Sequence, residues 1–236
     1  MERRFEVVAE DERYIALSKP WDTRHDVPRG WPGKLRFTPK HAGDQSAEEF
    51  LEARHPELDV VRFAHQLDFG TSGLLLACKT KAATAAAANC FAARNAAKTY
   101  RCLLMGHARE SAWSVDAAVG TDDSDPTGFK MKLDPEGKAS STSFRVLRTG
   151  VCALEGPLQG VPLTLAEAKP HTGRRHQIRL HAASSGLPIL GDCAYSPDRD
   201  SYRMFLHAHT LFLPIKDSAP LSFVAPVPGG FDDAIA

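Results

Sequence analysis

Three short segments carry the residue types that could do chemistry. The first, His65-Gln-Leu-Asp-Phe-Gly-Thr-Ser-Gly73, contains one acid, Asp68, ahead of a run of small turn residues. An aspartate in this setting is most often a turn or cap residue, because its side chain bonds to the nearby backbone. Asp68 also shortly precedes the apolar run 74–78, and loop ends beside a buried strand are where functional residues collect. The carboxylate is therefore the reactive candidate of this segment.

Two familiar kinds of site are excluded for the same segment. A nucleophile elbow requires the pattern Gly-x-Ser-x-Gly, whereas here Ser72 is followed directly by Gly73. A phosphate-binding loop ends in Gly-Lys-Ser or Gly-Lys-Thr, and that ending is missing.

The second segment is Lys98-Thr-Tyr100, at the start of a predicted strand. A tyrosine there usually packs half-buried, with its hydroxyl bonded to a neighbour. The functional alternative is an aromatic ring that lies against a base, with a hydroxyl available for proton transfer. The residues alone leave both interpretations open.

The third segment, Thr172-Gly-Arg-Arg-His-Gln-Ile-Arg-Leu-His181, is dense in cationic donors. His176 and His181 are five residues apart, so they do not share one helix face, and no carboxylate is close in sequence. We therefore predict no metal site. Gly173 beside a helix N-terminus suits an anion instead, and Arg179 could pair with a carboxylate in a cleft.

The net charge is zero, because Lys and Arg together number 29 and Asp and Glu also number 29. The protein as a whole is therefore not attracted to a polyanion. The charges are nevertheless segregated. The stretch 69–109 holds six basic residues and no acid, and 169–181 holds four basic residues, three histidines and no acid. This segregation allows a basic face for nucleic acid on a neutral protein, with chance clustering on solvated faces as the plain alternative.

Composition also predicts the compartment. The five cysteines are dispersed without a Cys-x-x-Cys pair, which is typical of reduced thiols inside the cell. The N-terminus lacks the apolar core of a signal peptide, and no run of about 18 apolar residues could span a membrane. We expect an intracellular protein, with the cytoplasm favoured over an organelle or the nucleus.

The elements that must position these segments follow no regular βαβ rhythm. A capping box, Ser46-Ala-Glu-Glu49, predicts a helix over 46–54. An alanine-rich stretch predicts a helix over 81–97, and a third helix is predicted over 176–185, closed by Gly186. Strands are predicted at 5–8, 14–18, 74–78, 99–104, 140–147, 163–169 and 204–213, and loops at 21–45 and 120–138. This order predicts an α+β fold with a mixed, mostly antiparallel sheet flanked by helices, as a single domain over 1–236.

Together and in this order, the segments resemble the RluA-type RNA pseudouridine synthases. The family's motif His-Arg-Leu-Asp, followed by Thr-Ser-Gly, corresponds here to His65-Gln-Leu-Asp68 and Thr71-Ser-Gly73. The tyrosine of its Lys-x-Tyr segment matches Tyr100. Further matches are Thr-Gly-Arg-x-His-Gln-Ile-Arg-x-His at 172–181, Gly-x-Pro-Ile-x-Gly-Asp-x-x-Tyr at 186–195, Lys19-Pro20, 137–139 and 206–208. The resemblance spans nearly the whole chain and is closest to a eukaryotic branch of RluA-like domain-containing proteins.

The resemblance implies a pseudouridine synthase-type catalytic domain that isomerises a specific uridine in structured RNA, a tRNA or an rRNA. Asp68 would act on the sugar or the base, as a nucleophile or as a base. Arg179 would keep that carboxylate ionised, and Tyr100 would stack on the flipped uracil and assist loss of its C5 proton. The reaction is an isomerisation without a redox step, phosphoryl transfer or hydrolysis, so neither cofactor nor metal is expected.

The resemblance also implies a set of RNA contacts and a partner. The expected contacts are His65, Gln66, Thr71, Lys98, Arg174, Arg175, His176 and Gln177. Gln66 departs from the family, where an arginine helps to fill the gap left by the flipped base, and Arg175 replaces a common Thr or Ser. The expected partner is an RNA stem-loop bound by a monomer, without a separate S4-type RNA-binding domain.

Two other functions compete with this interpretation. The first is a catalytically idle RNA-binding or RNA-folding protein on the same fold, which would tolerate loss of Asp68. The second is a hydrolase that uses the histidine-rich segment 172–181, but the sequence offers it no identifiable nucleophile–base pair or metal set.

Overall fold

The computed structural model describes residues 4–25, 45–216 and 218–236. The loop predicted over 21–45 therefore falls mostly outside the described residues.

The contacts divide the chain into two compact units. The first unit consists of Met1–Ala97 and Ala208–Ala225, and the second consists of Lys98–His207 and Pro226–Ala236. The single domain expected from the sequence stays a prediction.

The described residues form twelve strands and four helices. In chain order these are β1 (Glu6–Glu10), β2 (Tyr14–Lys19), α1 (Ala47–Arg54), β3 (Arg62–Phe63), β4 (Ser72–Cys78), α2 (Lys81–Ala92), β5 (Ala97–Met105), β6 (Ala112–Asp116), β7 (Val119–Thr121), β8 (Met131–Leu133), β9 (Ser141–Val151), β10 (Pro162–Pro170), α3 (Gln177–Ser184), β11 (Leu206–Leu213), β12 (Leu221–Val224) and α4 (Gly230–Asp233). The α+β class with mostly antiparallel strands is confirmed.

The first unit is built around β4, whose seven residues are all buried. The strand order is β1-β2-β4-β11, with β3 also beside β4 and β12 beside β11. A strand that is buried on both faces requires a continuous apolar run, which Leu74–Cys78 supplies. The unit therefore has a rigid central strand, and the loop that carries Asp68 leads directly into it.

Helix α1 begins as its capping box predicts. The Ser46 hydroxyl accepts the Glu49 backbone N–H at 3.2 Å, and the Glu49 carboxylate accepts the Ser46 backbone N–H at 2.7 Å. These bonds lower the pKa of Glu49, and the largest contribution comes from the Ser46 backbone N–H. The reciprocal pair satisfies two donors that a helix start leaves open.

Helix α2 ends five residues earlier than the alanine content predicts. It spans Lys81–Ala92 instead of 81–97, and Arg94 adopts a left-handed conformation with φ of 59°. Alanine propensity carries no stop signal of its own. The chain must turn here because Ala97 already begins β5, and that tertiary requirement was not visible in the local pattern.

The second unit contains the strand order β5-β10-β9-β6 with antiparallel pairing. A core of buried apolar side chains lies against α3 and includes Phe144 and Ile178. The Trp113 ring stacks on Phe144 with 4.9 Å between the ring centroids. Gly186 closes α3 with φ of 73°, as the sequence predicts.

The prediction of a loop over 120–138 was wrong in part. Residues 119–121 and 131–133 pair as the antiparallel hairpin β7–β8. Glycine, proline and aspartate signals mark turns, and here they mark the tip and base of a hairpin. Three-residue strands are too short to give a period-two pattern.

Candidate functional site

Asp68 lies in the first unit, in the loop that joins β3 to β4. It is half-buried, and its backbone carbonyl accepts the Thr71 N–H at 3.0 Å. This bond closes a tight turn through Phe69 and Gly70. The turn places Asp68 just before the rigid strand β4, as the sequence predicts.

A buried lysine holds the same turn from β2. The Lys19 side chain is 1% exposed, and its ammonium group donates to the carbonyl oxygens of Pro20 at 3.0 Å, Thr23 at 2.8 Å and Phe69 at 3.1 Å. The Thr23 backbone N–H also donates to the Phe69 carbonyl at 3.2 Å. The residue next to Asp68 is therefore fixed by two donors.

His65 fixes the other end of the loop. The Leu76 backbone N–H in β4 donates to His65 Nε2 at 3.1 Å. Because Nε2 is the acceptor, the neutral ring carries its proton on Nδ1. The ring also packs on Phe91 of α2, with 5.0 Å between centroids. These contacts give His65 a positioning role in the Asp68 loop, and its expected contact with RNA stays a prediction.

The neighbouring predicted contacts differ in exposure. Gln66 is exposed, whereas Thr71 is 2% exposed and lies inside the turn. Gly73 follows in β4 with φ of 107°, and a Cβ atom there would lie 2.2 Å from the Ala208 carbonyl oxygen. This close approach to β11 explains why the Thr-Ser-Gly motif needs its glycine.

Replacing Lys19 with glutamine should loosen this turn. We expect the free energy of unfolding to fall by about 1–3 kcal/mol, because buried carbonyl oxygens lose a charged donor. Turnover should fall by about tenfold, since a small displacement of a reacting group is costly. Thermal unfolding and initial rates would check this, with Lys81→Gln as an exposed control on α2. Equal melting temperatures for both variants would contradict it.

Tyr100 and Arg179 lie in the second unit. Tyr100 is half-buried on β5, opposite Ala168 of β10, and borders the core beneath α3. Arg179 on α3 is 5% exposed and binds Asp192 through two parallel bonds, Nε to Oδ2 at 2.8 Å and Nη2 to Oδ1 at 2.7 Å. This bidentate geometry fixes the guanidinium plane. Its expected interaction with Asp68 stays a prediction.

Gln177 shapes the loop in front of α3. Its side-chain carbonyl accepts from the Thr172 hydroxyl at 2.6 Å and from the Arg174 backbone N–H at 3.0 Å. Its amide nitrogen donates to the Ser141 carbonyl and to the Thr142 hydroxyl, both at 2.9 Å. The side chain is 3% exposed. These contacts make it a positioning residue, and its contact with RNA stays a prediction.

The two histidines of this segment are both engaged within the unit. His176 precedes α3 in a left-handed conformation, and its Nδ1 lies 2.7 Å from the Tyr195 hydroxyl. His181 is fully buried, with Nδ1 2.9 Å from the Thr142 hydroxyl and Nε2 3.0 Å from the Ala117 carbonyl oxygen. Burial lowers the pKa of His181, which favours its neutral form.

Three of the residues predicted to contact RNA are basic and lie in the second unit. Arg174 is partly exposed and donates through Nε to the Ala139 carbonyl at 3.2 Å. Arg175 is exposed and lies over the ring of Phe129. Lys98 on β5 is partly exposed, and desolvation lowers the pKa of its ammonium group. These cations supply donors suited to phosphate.

The structure thus gives the predicted residues two settings. Asp68, His65, Gln66 and Thr71 belong to one loop of the first unit, and the others belong to β5, α3 and the segment before α3 in the second unit. The sequence did not predict the roles of Lys19, Asp192 or Phe129. Lys19 and Asp192 stand in segments that resemble the family, whereas no sequence signal indicated Phe129.

Two further searches concern metals and membranes. Within residues 4–25, 45–216 and 218–236, no three His, Cys, Asp or Glu side chains are grouped so that they could hold a metal ion. In that described part of the chain, no helix is both long and apolar enough to cross a membrane.

Comparison with known proteins gives consistent matches. The family model described as RNA pseudouridylate synthase matches residues 14–184. RNA pseudouridylate synthase domain-containing protein 1 of Danio rerio is 34% identical over 226 residues, which cover 94% of this chain and 74% of the relative. The dual-specificity RNA pseudouridine synthase RluA of Vibrio vulnificus is 33% identical over 210 residues, which cover 87% of this chain and 76% of the relative.

Solved structures agree with these matches. The human RNA pseudouridylate synthase domain containing 1 structure has a TM-score of 0.78 and 30% identity, and the match covers 95% of this chain and 84% of that one. The structure of human RNA pseudouridylate synthase domain containing 4, at 20% identity and a TM-score of 0.69, has the same fold. The family match covers most of the chain and includes the segments of Asp68, Tyr100 and Arg179. The chain therefore belongs to the RluA-type RNA pseudouridine synthases, the isomerases that convert uridine in RNA to pseudouridine.

Proposed function

We propose that Asp68 is the catalytic carboxylate of this synthase and that its substrate is a specific uridine in structured RNA, a tRNA or an rRNA. The observation that carries the proposal is the way the Asp68 turn is held. Lys19 and Thr23 both donate to the Phe69 carbonyl next to it, and His65 ties the loop to β4. Such fixed positioning is what a reacting group requires.

The reaction breaks the N1–C1′ bond of uridine, turns the uracil and joins its C5 to C1′, after which C5 loses its proton and N1 ends with one. Product and substrate are isomers, so no atom or electron has to be supplied from outside. An ionised Asp68 would act on C1′ or on the base during bond cleavage. The target must first leave its stack, which costs a few kcal/mol, and contacts to phosphate can offset that cost.

Tyr100 and Arg179 are the proposed partners of Asp68. The Tyr100 ring would stack on the flipped uracil, and its hydroxyl would assist removal of the C5 proton. The Arg179 guanidinium would favour the ionised carboxylate. Asp192 supports this role because it holds the guanidinium plane in one orientation.

The RNA backbone would bind to Lys98, Arg174 and Arg175, with His176 and Gln66 nearer the bases. Lys98→Ala and Arg174→Ala should each reduce the slope of log Kd against log salt by about one, as expected for one lost phosphate contact. Lys216→Ala serves as an exposed control in the first unit. Because burial lowers the pKa of Lys98, its contribution to binding should fade at a lower alkaline pH than that of an exposed lysine. RNA affinity that does not change with salt would contradict this basic surface.

We also propose that the enzyme acts inside the cell as a monomer on an RNA stem-loop. Its relatives are named for work on RNA, and RNA substrates of this kind are intracellular. Light scattering at several protein concentrations, with and without RNA, would measure the molar mass and so test whether the protein is a monomer.

The decisive experiment is transcriptome-wide pseudouridine mapping in cells with and without the gene, rescued by wild type or by Asp68→Asn. Sites lost in the knockout and restored only by the wild type would support the proposal and name the RNA. Sites restored equally by Asp68→Asn would refute the role of Asp68. A knockout without any lost site, from cells in which the protein still binds RNA, would favour the idle RNA-binding alternative.

A further inference from the structure

The tip of the β7–β8 hairpin holds an aromatic ring at the surface, beside the proposed site in the second unit. The Phe129 side chain is 41% exposed. The guanidinium carbon of Arg175 lies 5.4 Å from the ring centroid, and that of Arg179 lies 5.9 Å from it. We propose that Phe129 is a stacking platform for an unpaired nucleobase next to the target uridine, and so contributes to the choice of substrate. This inference rests on the proposed role of Arg179.

The hairpin tip is organised to present this ring. The Asp125 carboxylate accepts the backbone N–H groups of Thr127 at 3.2 Å, Phe129 at 2.9 Å and Lys130 at 2.7 Å. These bonds, that of Lys130 first, lower the pKa of Asp125 to about 2. Their stabilising effect is present above the ordinary pKa of an aspartate and is lost as pH falls through about 2, so these hydrogen bonds contribute at physiological pH. A ring held in place loses little entropy when it binds.

The first residue of β8, directly after the tip, is tied to the start of α3. The Tyr195 hydroxyl accepts the Met131 backbone N–H at 2.8 Å and shares a hydrogen bond of 2.7 Å with His176 Nδ1. The His176 ring in turn lies 4.8 Å from the Phe129 ring. Phe129 is thus positioned relative to the helix that carries Arg179, which places it beside a proposed catalytic group.

The surroundings of the ring favour RNA as the ligand. Turn tips ordinarily carry polar residues, whereas here the Arg175 guanidinium lies over an exposed ring, and Lys130 follows that ring in sequence. The carboxylate of Asp122 accepts hydrogen bonds from the backbone N–H and the hydroxyl of Ser124. Ring stacking together with phosphate contacts is how proteins bind unpaired RNA. A base-paired strand offers no open base face, so the preference should be for unpaired nucleotides.

Binding measurements test the platform directly. Fluorescence anisotropy would use a labelled single-stranded uridine-rich RNA of about 12 nucleotides and a duplex of similar length. We expect Phe129→Ala to weaken single-strand binding by about tenfold and duplex binding by less than about twofold, and Phe129→Trp to bind like the wild type. Phe212→Ala is the matched control, because Phe212 is also 41% exposed but lies on β11 of the first unit. Equal single-strand affinity for Phe129→Ala and the wild type would overturn the inference.

A second measurement separates this inference from the proposed function. The same variants would act on total RNA from cells that lack the gene. Phe129→Ala should raise KM by about tenfold with little change in kcat, and Phe129→Trp should restore KM. A wild type and a Phe129→Ala variant that are equally active at low RNA concentration would overturn the role of Phe129 while the synthase activity stands. A wild type without activity, but with binding that depends on Phe129, would support the platform and overturn the role of Asp68.

Discussion

Replacing Asp68 with asparagine is expected to abolish pseudouridine formation while RNA still binds. Asparagine has the size of aspartate, and the turn bond from Thr71 goes to the backbone carbonyl, so the loop should keep its shape. The variant loses the negative charge that both proposed roles, nucleophile and base, require. Such roles contribute about 10²–10⁴-fold to a rate, so turnover should fall by about a thousandfold or more. The RNA dissociation constant should change by less than about twofold.

Release of the C5 hydrogen gives a direct measurement of this loss. RNA labelled with tritium at C5 of uridine should release its label with the wild type and not with Asp68→Asn. Asp59→Asn is the matched control, because Asp59 is an exposed aspartate in the same unit, and it should release label at the wild-type rate. Tritium release by Asp68→Asn near the wild-type rate would remove Asp68 from the mechanism. Loss of RNA affinity in that variant would instead indicate a structural role.

The sequence predicts those elements best that carry their own boundary signals. The capping box at Ser46 and Glu49 places the start of α1, and Gly186 places the end of α3. Helix α2 lacks such a signal at its end. Residues after Ala92 still have a high helix propensity, and the helix ends there because the chain must enter β5 at Ala97. Local energetics therefore predict an element, whereas tertiary contacts decide its length.

For the candidate site as well, the sequence identifies the reactive residues but not the contacts that hold them in place. Residue types and the family resemblance single out Asp68, Tyr100 and Arg179. They do not reveal that the Lys19 ammonium supports the Asp68 turn from β2, because that contact joins residues 50 apart in sequence. Nor can a sequence tell whether the amide of Gln177 faces a ligand or its own loop. Hydrogen-bond partners, rather than residue types, distinguish a binding residue from a positioning one.

Burial explains why Asp192 matters for the orientation of Arg179. Arg179 is 5% exposed and Asp192 is 1% exposed, so neither charge has water as an alternative partner. The Oδ1 atom of Asp192 also accepts the backbone N–H groups of Ala194 and Tyr195. A single carboxylate therefore organises the guanidinium on α3 and the turn after Gly191. If Arg179 acts on the substrate, its orientation depends on Asp192.

Asp192→Asn should consequently destabilise the protein by about 3–5 kcal/mol, because an amide nitrogen cannot accept from Arg179 and leaves a buried charge uncompensated. For a chain of this size the Tm should fall by about 10 °C or more, and turnover should fall with it. Differential scanning calorimetry and tritium release would measure both quantities. Asp200→Asn, at an exposed aspartate in the same segment, should match the wild type in both.

Replacing both partners separates stability from catalysis. Apolar residues of similar volume can replace a buried ion pair at little cost, so Arg179→Met combined with Asp192→Leu should recover most of the stability lost in Asp192→Asn. Turnover should not recover, because the double variant lacks the guanidinium. Recovery of both stability and turnover would show that Arg179 serves the fold alone. Recovery of neither would show that the backbone bonds from Ala194 and Tyr195 to Asp192, rather than the ion pair, hold this part of the unit together.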